Sequence, residues 1–361
     1  ITASISMAAV KKSLCFRKYE HKVGCRTSNN PYMVAFGCVQ IILSQLPNFH
    51  TIWGLSVVAA AMSFAYTFIG IALSLSKVAG RDGHVEGELT GAIGGKDVTN
   101  AGKFRGTFES FGNIAFAYAF SSVLIEIQDT MRAWPHESKE MKRAIGWAMT
   151  ATTLSYLLCG VAGYAAFGDA APGYLLSGFC FYHPYWLVDL ANLCVAVHLV
   201  GAYQVYSQPF FAFFEGWCNR RWPESVSLVL RLPAGIPSSV GGGFPVNLFK
   251  LGWRTGYVVL TTAAAMVFPF FNDVVGLIGG ITFWPLVVHF PTQMYMAREG
   301  IARFSSVWLL LHVVGCLCLF LSVMAAGTSI LALFLHVLRF KPFTSTSELH
   351  GRVLQPGGKE K

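Results

Sequence analysis

Charge is scarce in this chain, and acid is scarcest: 18 Asp and Glu stand against 27 Lys and Arg in 361 residues. Long stretches carry no charge at all. Ala144–Gly168 and Leu190–Phe214 each run 25 residues without Asp, Glu, Lys or Arg, Phe304–Leu338 runs 35, and Thr27–Ser76 runs 50. A helix that crosses a bilayer needs about 20 predominantly apolar residues, so these runs exclude an ordinary soluble domain. They are continuous rather than alternating, which argues against an up-and-down β-barrel. Catalytic and nucleotide motifs are missing too. No HExxH or GxSxG marks a metal or nucleophile site, and the glycines of GAIGG are not followed by GKS or GKT. An enzyme and a nucleotide-driven pump are both disfavoured, and no cofactor or metal is expected. The net charge of +9 comes without basic–aromatic interleaving, so it reflects loops near anionic lipid and not nucleic-acid binding.

What is present predicts an all-α polytopic membrane protein. Eight complete spans are expected, at about 31–46, 53–77, 108–131, 144–167, 185–214, 253–271, 274–296 and 306–338, with a helical stub at 1–10. The 50-residue run divides at Leu46-Pro47-Asn48, because proline removes a helix donor. The chain starts at Ile in mid-helix with no signal peptide, which reads as a fragment lacking N-terminal helices. The basic residues fall in loops and tail, with Arg254 at the border of a span. A small basic excess on the side of 11–31, 77–105, 168–184, 272–273 and the tail weakly places that side in the cytoplasm. Residues 168–184 read as a short helix over the bundle, 215–252 as a loop, and 344–361 as a polar, disordered tail behind a transmembrane domain at 1–343.

The chemistry concentrates on the stretch 108–131. It carries Glu126 and Asp129, three residues apart on one face, at the end of a membrane-like run. A carboxylate in hydrocarbon is costly and normally faces a water-filled cavity or a partner. The two acids are therefore candidates for proton coupling, or else mark the helix end and pair with Lys139, Lys142 or Arg143. Upstream, Ala117, Tyr118, Phe120, Ser121 and Ser122 are where an unwinding is expected, with serines to satisfy freed backbone groups; the alternative is a continuous helix with serines bonded to their own turn. His198 sits mid-span and suits a proton relay or a neutral packing role. Asn272 and Asp273 read as a helix cap. Trp284-Pro285 breaks its helix, either to bend around substrate or as a plain kink. Cys15 and Cys25 share one polar loop and are either a disulfide, if that loop is outside, or two unrelated thiols.

Several blocks resemble the plant amino acid permeases of the amino acid/auxin permease family. They are NPYMVAFGCVQIILSQLPNF (30–49), AFAYAFSSVLIEIQDTMR (115–132), CGVAGYAAFGDAAPGYLLSGF (159–179), VHLVGAYQVYSQPFFAF (197–213), PFFNDVVGLIGGITFWPL (269–286) and KPF (341–343). The resemblance implies a proton-coupled amino acid symporter of the plasma membrane, with a five-plus-five inverted repeat and a final extra helix. On that template the stub ends the third helix and 108–131 is the sixth. The resemblance also places the 11–31 side outside the cell, which reverses the charge reading and suits a Cys15–Cys25 disulfide. Amino acid, protons and membrane lipid are the implied partners. The family's first helix, with its substrate-holding break, is absent, so a non-transporting partial product or an amino acid sensor is the alternative. Oligomeric state is not implied.

Overall fold

The computed structural model describes residues 1–18, 27–46, 53–80, 85, 100–120, 123–124, 127–128, 137–179, 182–223, 229–232 and 244–339. The helices are α1 (Thr2–Lys18), α2 (Asn30–Ser44), α3 (Trp53–Ala79), α4 (Asn100–Ala117), α5 (Glu137–Phe167), α6 (Tyr185–Arg221) and α7 (Leu248–Val267). Then come α8 (Phe271–Thr282), a wide π-helical stretch (Phe283–His289), α9 (Phe290–Glu299) and α10 (Ser306–Arg339). Two 3₁₀ turns, Gly168–Ala170 and Leu175–Phe179, lie between α5 and α6. The expected tail at 344–361 lies outside the described residues.

Among the described residues, five helical stretches are long and apolar enough to cross a membrane: Trp53–Ala79, Ser138–Phe167, Tyr185–Arg221, Phe271–Glu299 and Ser306–Leu338. The chain is an integral, multi-pass membrane protein. The described residues leave the expected count of eight unconfirmed: 31–46, 108–131 and 253–271 are not among these five, and part of 108–131 lies outside the described residues. Helix α2 has 15 residues, α4 carries Lys103, Arg105 and Glu109, and α7 contains Lys250 and Arg254. Large apolar side chains stay exposed, among them Leu154, Leu157 and Val161 on α5 and Leu309, Leu310 and Val313 on α10. Lipid rather than protein is their solvent, and the helices satisfy their own backbone groups as that solvent requires.

Three expectations are corrected. The stub does not stop at residue 10: it runs to Lys18, so Cys15 lies in a helix and not in a loop. The presumed loop at 215–252 contains helix and strand among its described residues. Helix α6 runs on to Arg221, and strands β1 (Val229–Leu232) and β2 (Phe244–Asn247) pair antiparallel, so the chain is nearly all-helical rather than all-α. The side chain of Asn247 then accepts from the Lys250 amide at 3.0 Å and caps α7.

Two packed groups result. Helix α6 packs against α1, α2 and α3; α2 also packs on α7, and α3 on α5. Helices α4, α8 and α10 pack on one another. The 168–184 segment does sit over the bundle, but as turns. Leu176 and Phe179 are buried with Leu73, Val188, Ala191 and Val195. Tyr174 ties the segment down, donating to Asn192 Oδ1 at 3.0 Å and meeting Ser6 Oγ at 2.8 Å. Asp189, one turn earlier on α6, pairs with Arg17 at 3.0 Å and accepts from Ser13 at 3.1 Å, joining α1 to α6.

Candidate functional site

Helix α4 stops at Ala117 without a proline, and residues 118–120 form a turn. Tightened i→i+3 bonds replace the helical ladder: Tyr118 N–H donates to Ala115 O at 3.3 Å and Ala119 N–H to Phe116 O at 2.9 Å. Helix ends leave carbonyls without intrahelical partners, and α5 supplies one here. Tyr156 Oη donates to Ala117 O at 3.4 Å, while Tyr118 Oη donates to Thr153 Oγ1 at 3.0 Å. Thr153 and Tyr156 are three residues apart and so share a face of α5. The Tyr118 and Tyr156 rings meet edge to face at 5.6 Å. Tyr66 and Tyr206 lie close enough to Tyr156 to interact with it electrostatically.

His198 joins this aromatic group through Tyr66, whose ring it meets edge-on at 5.6 Å. Its Nδ1 sits 2.9 Å from Ala59 O on α3. The structure thus gathers Ala117, Tyr118 and His198 around the tyrosines of α3, α5 and α6, and Phe120 lies half-buried in the turn. Ser121, Ser122, Glu126 and Asp129 lie outside the described residues, as does Cys25. Cys15 is disulfide-bonded, to a partner outside the described residues.

Trp284 belongs elsewhere. Its ring stacks on His289 at 4.5 Å, and its Nε1 donates to Gly315 O on α10 at 3.0 Å. It lines a cavity of about 180 Å³ with His289, Gln293, His312 and Gly315. The helix widens here because Pro285 has no N–H to give. Ser322 of α10 enters the gap: its hydroxyl accepts from Trp284 N–H at 3.3 Å and donates to Gly280 O. These two backbone groups would bond directly in an unbroken helix, and side-chain insertion into that ladder is a recognised source of helix kinks. Ser322 carries no signal in the sequence beyond being a hydroxyl in an apolar run. Ser322→Ala is expected to destabilise the protein by about 1–3 kcal/mol, since both groups are left unpaired in a buried place. Thermal unfolding in detergent checks this, and an unchanged midpoint contradicts the bridge.

Glycines let α4, α8 and α10 approach closely. A Cβ on Gly112 would strike the Gly276 carbonyl, and one on Gly279 would strike the Gly112 carbonyl and the Phe116 amide. A Cβ on Gly280 would meet Ala326 N on α10 at 2.7 Å. Small residues at helix crossings are the usual basis of association in lipid, where no hydrophobic force drives helices together. The glycine seam ends where α4 breaks, so the break is held at fixed distance from α8.

Arg254 is not a border residue. It sits inside α7, 4% exposed, and forms a two-point pair with Glu215 of α6, Nε–Oε1 2.6 Å and Nη2–Oε2 3.1 Å. Its Nη1 donates to Ser44 O at 2.7 Å and Leu46 O at 2.9 Å, capping the end of α2. Above it a buried polar ladder continues. Gln204 Nε2 donates to Gln40 Oε1 at 2.6 Å and to Ser44 Oγ at 3.2 Å, and Gln208 Nε2 donates to Gln204 Oε1 at 3.3 Å. Asp273 is no cap either. Phe270 is the N-cap of α8 with no side-chain capping bond, and Asp273 is buried against His336 of α10.

The family described as "Transmembrane amino acid transporter protein" matches residues 1–335. Amino acid permease 6 of Arabidopsis thaliana is 51% identical over 344 residues, covering 95% of this chain and 71% of that protein. Amino acid permease 8 of the same plant is 52% identical over 344 residues, covering 95% and 72%. Amino acid permease 1 is 50% identical over 349 residues, covering 96% and 71%. No solved structure matches the chain. With its broken helix, glycine-packed crossings and apolar spans matched along nearly their whole length, the chain belongs to the transmembrane amino acid transporter family, a family of transporters and not of enzymes.

Proposed function

We propose that this chain carries amino acids across a membrane together with protons, as a plasma-membrane uptake symporter. The observation that carries this reading is the end of α4 at Ala117, in a chain about half identical to amino acid permeases over 95% of its length. Transporter sites form where membrane helices are interrupted, because the interruption frees amides for a substrate carboxylate and carbonyls for cations. Tyr118 and Phe120 lie at such an interruption, and Ala117, Ser121 and Ser122 complete the candidate substrate-binding set in this reading. The packing of α1 on α6 and of α2 on α7 is the kind of pairing that a five-plus-five inverted repeat would give. Glu126, Asp129 and His198 are the proton-coupling residues in this reading, with His198 reaching the break through Tyr66, Tyr156 and Tyr118. Trp284, which lines the cavity at the second bent helix, is a further candidate substrate-binding residue in this reading. Cys15 pairs with Cys25 on the outer side.

The test is uptake of labelled amino acids by the 361-residue chain in a host lacking its own amino acid uptake. Saturable uptake is expected. Tyr118→Phe, which deletes the bond to Thr153, should lower kcat/KM about fivefold for about 1 kcal/mol lost. Absence of both uptake and amino acid binding overturns the reading.

A further inference from the structure

We propose that Glu109, Asp273 and His336 form a proton-binding site that pins the first half of α4 to α8 and α10; its use in transport rests on the symport reading above. The three residues come from three helices. His336, near the end of α10, has half of its side chain exposed, and its Nδ1 lies 2.5 Å from Asp273 Oδ2. Its ring stacks on Phe270 at 5.4 Å, which fixes its orientation. Asp273, in the first turn of α8, has a side chain only 5% exposed. Glu109 on α4 interacts electrostatically with Asp273, its backbone carbonyl approaches Gly276, one turn after Asp273, and Arg105 lies one turn away on the same helix. Arg105, Glu109, Asp273 and His336 are the charged and titratable groups that act on one another here.

Two carboxyl groups that interact strongly can hold one proton between them, and such a pair titrates as a unit. Without that proton, both carboxylates face each other across the α4–α8 crossing, with Arg105 and His336 at the flanks. With it, one carboxyl donates to the other and the crossing closes. His336 is half exposed and Asp273 is buried, so in this proposal the proton enters at the imidazole and passes inward to the carboxylates, with no other bond made or broken. The polar seam goes on beyond the pair. Among the described residues, Asn113 Oδ1, the fully buried Ser329 Oγ and Arg105 Nε have no hydrogen-bond partner, and the first two approach Gly276, one turn after Asp273. These unpaired groups converge on the crossing that a change in the Glu109–Asp273 pair would shift. Glu109 is eight residues before Ala117, about 12 Å along the axis, so a tilt of this half-helix moves the break directly.

The experiment uses the purified 361-residue protein in lipid bilayers, with infrared difference spectra between about pH 8 and about pH 5.5, the range that spans imidazole titration. The wild type should gain a carboxylic-acid C=O band on acidification. Glu109→Gln and Asp273→Asn, which keep size and hydrogen bonding, should each lose it. In parallel, uptake is measured against external pH. One titrating proton gives up to about a tenfold change per pH unit, and in either variant this should fall to less than about twofold. His336→Gln should leave the band but slow its appearance after a pH jump. A band unchanged in both carboxyl variants overturns the site; where wild-type uptake depends on pH, an unaltered pH profile in both variants overturns its use in transport. A band that follows the variants, alongside uptake indifferent to a proton gradient, keeps the site and removes the symport reading.

Discussion

Arg254→Ala is expected to be the most destabilising single change in this chain, by about 3–5 kcal/mol, the cost of stripping one partner from a buried ion pair. The guanidinium does two things at once. It neutralises Glu215, which is 8% exposed, and it supplies donors to Ser44 O and Leu46 O, carbonyls with no partner inside α2. Lys250 approaches Glu215 at 3.3 Å and softens the loss of charge, but its side chain is 45% exposed and it has no bond to either carbonyl. Glu215→Gln alone should therefore cost less, because Arg254 keeps its two backbone acceptors. Combining Arg254→Met with Glu215→Leu should recover part of the loss, since no charge remains buried, yet stay below wild type while the end of α2 is uncapped. Thermal unfolding in detergent, with the midpoint followed by intrinsic tryptophan fluorescence, measures all four proteins. A wild-type midpoint for Arg254→Ala would mean that the pair does not join α2, α6 and α7.

Gly279→Ala should damage transport more than stability. The added methyl would meet the Gly112 carbonyl and the Phe116 amide, at 2.7 Å for the latter. Both are backbone atoms, so no rotamer change can make room and α4 itself must move. Overpacking of this kind costs typically about 1–3 kcal/mol. The displaced segment ends at Ala117, so the break shifts with it, and a misplacement of about 1 Å costs on the order of a hundredfold in rate where geometry is critical. Gly327→Ala is the matched control. A Cβ there meets nothing within 4 Å, and alanine is the better helix former by up to about 1 kcal/mol. Uptake and thermal midpoint should hold or rise in the control and fall together in Gly279→Ala. Equal behaviour of the two variants contradicts a close α4–α8 crossing.

Hydrophobic length made much of the fold legible. The expected spans 53–77 and 306–338 lie within two residues of Trp53–Ala79 and Ser306–Arg339, because uninterrupted apolar runs leave the chain no other way to satisfy its backbone in lipid. The end of α4 was also legible, in the clustering of aromatics and serines after Ala117. Contacts between distant segments were not. Arg254 looked like a border residue because its partner is 39 positions away across a polar stretch. Asp273 looked like a cap because aspartate before a helix usually is one, and only the packing of α10 brings His336 to it. Ser322 and the glycines of GLIGG resemble ordinary membrane-helix residues until α10 and α4 are placed beside them. Periodicity records which face of a helix is apolar, not which helix it will meet.

The most direct measurement is uptake of labelled amino acid into vesicles containing this chain alone, with an imposed pH difference, acidic outside. Uptake above the equilibrium level is expected, with collapse to equilibrium when a protonophore is added. Uptake that ignores both the pH difference and the protonophore would contradict proton-coupled transport, and no uptake or binding at all would contradict amino acid carriage by this chain.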